Sequence, residues 1–239
     1  MSSTGFVTIY SGDVRTIDSV ASHDLGTLGQ TPDGRLYRYS QAGAADLAPG
    51  KLCVAATQVA DHANIAVAAA AAIGATQVEV TLGATLATKD QYEGGYLTVN
   101  DATGEGVSYR IRANDAGDAS ATITVYLAEP VQVALTTSSE VSLVKNPWDS
   151  VVISVTDQAD MPVGIPNVTI TAAYYGWIQT GGACAALADE AITAGLALTT
   201  GTGVAGAVEA LDAAGEFQLG VALQAAVDTE YRTIYLSID

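Results

Sequence analysis

Charge, cysteine and large aromatics are all scarce in this chain, and each scarcity removes a class of function. Only 15% of the 239 residues are charged, and nine bases stand against 26 acids, for a net charge of −17. Such a surface repels phosphate and argues against nucleic acid as a partner. It repels anionic lipid headgroups too, so no membrane partner is expected. The two cysteines, Cys53 and Cys184, lie far apart. They make neither a disulfide framework nor a metal-ligand spacing, and a reducing compartment during synthesis is the simpler reading. Long apolar runs are missing: the longest, Ile65 to Ile73, is nine residues and mostly alanine, too short to span a bilayer. The first ten residues have no basic n-region and no apolar h-region, so no signal peptide is expected.

What is present is a large apolar fraction, 49%, built chiefly from Ala and Val with only two Phe and two Trp. That fraction argues against disorder and suits the thin cores of small sandwiches and barrels. Tyrosine is the exception at 11 residues; it pairs a large contact area with a polar tip and favours wet interfaces. Acidity grows along the chain. Residues 1–50 carry five acids and three bases, residues 51–150 eleven and five, and residues 151–239 ten acids and one base, Arg232.

Periodicity divides the chain. Residues 1–50 are rich in Gly, Ser, Thr and Asp and read as an extended N-terminal arm. Its one local element is a short hairpin: Pro32-Asp33-Gly34 is a turn, and Leu36 to Tyr39 alternates as a strand. Residues 51–146 read as a small β-domain. Its strands are Thr76 to Leu82, Tyr96 to Asn100, Val107 to Ile111, Ala121 to Leu127 and Glu140 to Val144, with a Gly-containing hairpin loop at Asp101 to Gly106. Gln58 to Ile73 could form a short helix, or Val67 to Ile73 a strand of small residues. Asn146-Pro147-Trp148 reads as a boundary. Residues 147–239 read as a C-terminal β-domain with strands near 151–155, 167–171, 175–179, 217–223 and 232–238. In the last strand Ile234, Leu236 and Ile238 share one face. The expected fold class is all-β: two small antiparallel β-barrel or sandwich domains with an extended N-terminal arm.

The candidate chemistry is thin. Gly201 to Gly206 matches G-x-G-x-x-G, but a dinucleotide site needs a strand before it and a helix after it, and the following residues read as strands. His23 and His62 sit beside Asp24 and Asp61 in polar segments and are expected at the surface; no nucleophile elbow accompanies them. Asn114 to Asp118 reads as a turn rather than a calcium loop, because the completing Glu is missing. No catalytic residue, cofactor or metal is expected, and the chain is read as a non-enzyme. The one aromatic concentration is Tyr174-Tyr175-Gly176-Trp177-Ile178-Gln179-Thr180-Gly181-Gly182. It suits either a core strand or a subunit-contact strip, with Gly176 allowing a backbone to approach.

Three stretches carry a resemblance. They are Asp24 to Tyr39, the strip Tyr174 to Gly182, and the ending Leu219 to Ala226 followed by Thr229 to Leu236. Together they resemble the capsid cement (head decoration) proteins of tailed bacteriophages. The resemblance implies a virion protein on the outside of an assembled capsid, synthesised in the host bacterial cytoplasm. It implies the major capsid protein and the chain itself, as a homotrimer, for partners. Residues 52–145 would be an extra domain relative to the small members. Arg and Tyr dominate interface hot spots, which makes Arg35, Tyr37, Arg38 and Tyr39 the capsid-contact candidates. Tyr175, Trp177, Gln179 and Tyr235 are the subunit-contact candidates. The competing classes are a host-recognition or adhesin module on a virion or cell surface, and a glycan-active enzyme, which would need a carboxylate pair in a cleft.

Overall fold

The computed structural model describes residues 6–156, 158 and 160–239. Among these residues the regular structure is β-strand, apart from two 3₁₀ turns at Asp13–Arg15 and Ala60–His62. The chain forms two compact units, one of residues 1–56 with 147–239 and one of residues 57–146.

The 57–146 unit follows from simple alternation. In Gln77–Thr81, Val78 and Val80 point inward while Gln77 and Glu79 are exposed. In Ser108–Asn114, Tyr109 and Ile111 point inward between exposed Ser108, Arg110 and Arg112. Ile123, Val125 and Leu127 do the same in Thr122–Leu127. Period-2 patterning buries one face of each strand, and the buried faces form one apolar cluster that includes Leu97, Val99, Leu135, Val141 and Leu143. Six strands pair in series from Ile65–Ala66 to Gln77–Thr81. A bridge between Val67 and Val80 then joins the two ends, so the sheet closes as a small barrel. No α-helix forms within 58–73. Val67 and Ala71 are drawn into the β core, and tertiary burial overrides the helix preference of alanine.

The other unit is built on one long strand, Tyr175–Ala188. Its second half pairs with Tyr231–Ser237 and Ala207–Ala210. Ala197–Thr200 and Gly220–Ala222 complete a ring of five. This barrel encloses Leu52, Ala186, Ile192, Leu198, Val208, Leu219, Ile234 and Leu236. The expected single face of the last strand is present in Ile234 and Leu236, both buried, with Tyr235 outward. A strand was expected at 167–171. It lies instead at Pro162–Pro166, and Ile170 makes only an isolated bridge to Leu47.

The N-terminal segment departs most from the expectation of a free arm. Leu36–Gln41 pairs antiparallel with Leu28–Gln30 across the Pro-Asp-Gly turn, which is the expected hairpin. It also pairs along its length with the first half of Tyr175–Ala188. The reason is burial: Tyr37 and Tyr39 are fully buried in a cluster with Ile9, Val14 and Trp177. Residues 6–50 thus supply half of a core instead of extending from one.

One local device recurs eight times among the described residues. Leu47, Ala71, Ala87, Gly117, Leu135, Ile170, Ile192 and Ala226 each form an isolated bridge, and they bridge one another in four reciprocal pairs, 47 with 170, 71 with 135, 87 with 117 and 192 with 226. After each bridge, the amide four residues on bonds to the carbonyl of the residue next to the bridge. The third residue past the bridge has positive φ in seven of the eight copies: Gly50, Gly74, Asp90, Ser120, Ala173, Gly195 and Thr229. That is the turn position at which a type II turn requires it.

Candidate functional site

The aromatic strip lies in the unit formed by residues 1–56 and 147–239, and its placement sorts the expected contact residues. The Tyr39 ring packs edge-on against Trp177, with centroids 5.2 Å apart, and edge-on against His23 at 5.2 Å. It stacks with Tyr175 at 6.2 Å. Its hydroxyl donates to Asp18 Oδ2 at 2.8 Å and accepts from the Ser22 amide at 3.1 Å. Tyr37 donates to Gln179 Oε1 at 3.2 Å and accepts from Asn167 Nδ2 at 3.0 Å. The Gln179 amide group donates to the carbonyls of Gly181 and Ala183, each at 3.0 Å. Burial pushes both tyrosine hydroxyls above their ordinary range. Tyr37, Tyr39, Trp177 and Gln179 are therefore interior residues, buried and mutually satisfied, and none is a contact surface. What Gly176 admits is the Ile170 side chain, not a second backbone.

Arg38 is engaged within the chain. It grips Asp239 through Nε at 2.8 Å and Nη2 at 3.1 Å, donates to Gly26 O at 2.8 Å, and lies 4.9 Å above the Trp148 ring. Tyr175 is half-buried, and Tyr235 is 53% exposed. Tyr235 is not alone. Leu196, Phe217, Leu223, Val227 and Tyr231 are also 44–60% exposed, on the strands and turns of the same barrel.

Arg35 opens onto a cleft of about 730 Å³. The outward face of the Tyr175–Ala188 and Tyr231–Ser237 pairing contributes Ala183, Ala185, Thr233 and Tyr231. Gly50, Pro49, Pro166 and Asn167 line it too, as do Arg15, Val14 and Ser11 from the N-terminal 3₁₀ turn and its approach. Cys184 also borders it, but its thiol is an inert one: burial pushes it up to about 12. Sequence reasoning found Arg35 and Gln179 for other roles and missed Arg15, which stands in a Gly/Asp-rich stretch with no periodicity to mark it.

The remaining motifs are structural. His62 is buried in the 57–146 unit, not exposed as expected. Its Nδ1 faces Tyr92 Oη, and its Nε2 is 2.8 Å from Thr85 O. Asn114 ties its turn by accepting from the Tyr92 amide and donating to Thr88 O and Asp115 O. Gly201 to Gly206 links two antiparallel strands, Ala197–Thr200 and Ala207–Ala210, with its Gly203 amide on Asp189 Oδ2. Among the described residues no group of three or more His, Cys, Asp or Glu side chains is placed to hold a metal ion. Neither a family model, a curated protein nor a solved structure matches the chain. The class that the fold defines is therefore the all-β barrel protein.

Proposed function

We propose that this chain is a virion structural protein, a capsid cement protein that binds the outside of an assembled phage shell and bridges major capsid proteins. The observation that carries the reading is the set of large apolar side chains exposed on the C-terminal barrel: Leu196, Phe217, Leu223, Val227, Tyr231 and Tyr235, each 44–60% exposed, with Tyr231 and Tyr235 on one outward strand face. A protein of net charge −17 stays soluble without shedding such residues, yet a group of exposed apolar side chains marks an association surface. The sequence resemblance supports the same reading. The unit that holds the set has sixteen acids and five bases, so self-association would place its acids on an outer rim. A homotrimer offers closed symmetry and matches the local threefold positions of a shell, and many weak contacts repeated by symmetry add to a stable coat. Tyr235 and Tyr231 take the place of the buried Trp177 and Gln179 in this contact.

The test is imaging at subunit resolution of purified particles that carry the chain. Copies tiling the shell, with Tyr235 at a contact, are expected. Copies clustered at the tail would replace this reading with the adhesin one.

A further inference from the structure

We infer that the cleft beside Arg35 is a carboxylate-binding site, with Arg15 and Arg35 as its two cationic walls. The inference does not rest on the virion reading, although Tyr231 belongs both to the cleft and to the exposed apolar set. It begins from charge. The unit holds five bases among its residues, Arg15, Arg35, Arg38, Lys51 and Arg232. Arg35, Arg38 and Arg232 are ion-paired within the chain, Arg35 with Asp33. Arg15 and Arg35 line this cleft, and no Asp or Glu lines it. In a unit with sixteen acids, that leaves the cleft walls with a net positive charge on a negative molecule.

The two arginines are also prepared to bind. Arg35 gives its Nε–H to Asp33 Oδ2 at 2.9 Å. The two terminal amino groups of its guanidinium have no acceptor among the described residues. Its stem lies against Gly182, where an added Cβ would sit 3.0 Å from Arg35 Cγ, and its guanidinium is 5.7 Å from the Tyr37 ring centroid. A guanidinium so held loses little freedom on binding. Arg15 ends a 3₁₀ turn pinned by buried Val14 and by the Tyr10 amide on Asp13 Oδ2, and it makes no ion pair among the described residues. The polar groups behind them do not compete. Tyr37, Asn167 and Gln179 satisfy one another, as described above. Ala183 and Ala185 keep the floor low, and the volume falls in the range of small-ligand sites.

Arginine matches carboxylate and phosphate alike, but the net charge decides between them. With Arg35 already paired to Asp33, the walls carry the charge of Arg15 and Arg35 less that of Asp33, a single net positive charge, which one carboxylate balances and a phosphate dianion exceeds. The shared chemistry is thus a single carboxylate, from a free monocarboxylic acid or from an acidic side chain of a polypeptide.

The test is a titration of the full chain, followed by amide NMR, with three probes: propionate, a blocked Gly-Glu-Gly tripeptide and inorganic phosphate. Saturable shifts at Arg15, Arg35 and Ala183 are expected with propionate, the tripeptide or both, and which of them binds tells the free acid from the polypeptide source. The dissociation constant should rise at least tenfold in Arg15→Gln, whose exposed side chain carries no part of the core, and in Arg35→Gln. Higher salt should weaken binding. No saturable shift with either carboxylate probe, equal affinity in Arg15→Gln, or tighter binding of phosphate would each overturn the assignment.

Discussion

Replacing Trp177 by alanine separates a core residue from a contact residue more sharply than any other single change in the strip. Trp177 is 4% exposed. Its ring lies so close to Gly29 that a Cβ there would be 2.7 Å away, and it packs edge-on with Tyr39 and at 5.3 Å from His23. Removing about 200 Å² of buried ring at about 25 cal/mol per Å² costs about 5 kcal/mol. Measured Trp-to-Ala changes in cores fall at about 3–5 kcal/mol. Both tryptophans of the chain, Trp148 and Trp177, belong to the unit of residues 1–56 and 147–239. Trp148 fluorescence in the variant therefore still reports the unfolding of the affected unit. For about 150 residues the loss corresponds to a Tm lower by about 6–20 °C. Tyr235→Ala, at an exposed position of the neighbouring barrel face, should change stability by no more than about 0.5 kcal/mol. A Trp177→Ala melt within about 2 °C of the parent, on the same scale, would refute the inward assignment. A Tyr235→Ala melt as low as that of Trp177→Ala would do so as well.

Three further outcomes follow from local geometry. An alanine Cβ at Gly220 would lie 2.1 Å from the Tyr235 carbonyl oxygen, a backbone atom, so Gly220→Ala should cost about 1–3 kcal/mol or more in a urea titration; Gly12→Ala, with φ −67° and open space around it, should stabilise by about 0.4–1 kcal/mol by the same measurement. Burial pushes the Cys184 thiol up to about 12 and raises Cys53 further, so neither should react with a thiol reagent at pH 8 until denaturant is added, and stoichiometric labelling of the native chain would contradict this. Glu209 is raised above the ordinary glutamate range, first by burial, against the opposing hydrogen bonds from Thr202, and then by Asp189; its stabilising contribution is full below the unfolded-state value and lost as pH rises through the folded one, so the Tm advantage of Glu209→Gln over the parent should grow with pH, and a constant or shrinking difference would contradict it.

The 57–146 unit was legible because its strands obey one simple rule. Val78, Val80, Ile123, Val125 and Leu127 are β-branched or aliphatic, alternate strictly with polar residues, and pair within one unbroken segment of the chain. The other unit breaks each part of that rule. Tyr37 and Tyr39 alternate properly, but tyrosine is amphipathic, so alternation alone does not say which face is inside. Their partners, Gln179 and Trp177, lie about 140 residues away. Pro162–Pro166 has a proline at each end, which reads as a loop, yet Leu52 and Ile165 bury against each other's core. Gly181 to Ala188 has little but Gly and Ala to declare its second half a strand, and it is the pairing with Tyr231–Ser237 that makes it one. For the cleft, only Arg35 was legible; Arg15 and the small-residue floor come together through topology.

The recurring bridged turn needs no repeated sequence. What it requires is a backbone state, a positive φ three residues past a bridge, and not a side chain. Glycine occupies that position in Gly50, Gly74 and Gly195, but Asp90, Ser120, Ala173 and Thr229 fill it as well, each accepting a conformation that L residues rarely adopt. The reciprocal amide-to-carbonyl pairs hold these residues there from both sides, which is the circumstance in which such strain persists. With side-chain identity free, the eight turns need share no sequence while the fold keeps their order. In the 57–146 unit the 71–135 pair encloses the 87–117 pair. In the other unit, taking the turn order from Ile170, the 170–47 pair encloses the 192–226 pair in the same way. The strand pairings match: Gln77–Thr81 with Thr122–Leu127 corresponds to Tyr175–Ala188 with Tyr231–Ser237, and Tyr96–Asp101 with Ser108–Asn114 to Ala197–Thr200 with Gly220–Ala222. The two units thus share a plan of four strands and four bridged turns and differ in the fifth strand, which is Glu140–Val144 in one and Ala207–Ala210, placed earlier in the order, in the other. In one of them the chain enters a turn early, at Leu47, and returns at Ile170 after the whole of the other unit has been inserted. The segment read as an arm and the segment read as a C-terminal domain are the two separated parts of that permuted barrel unit, and neither has a complete core without the other.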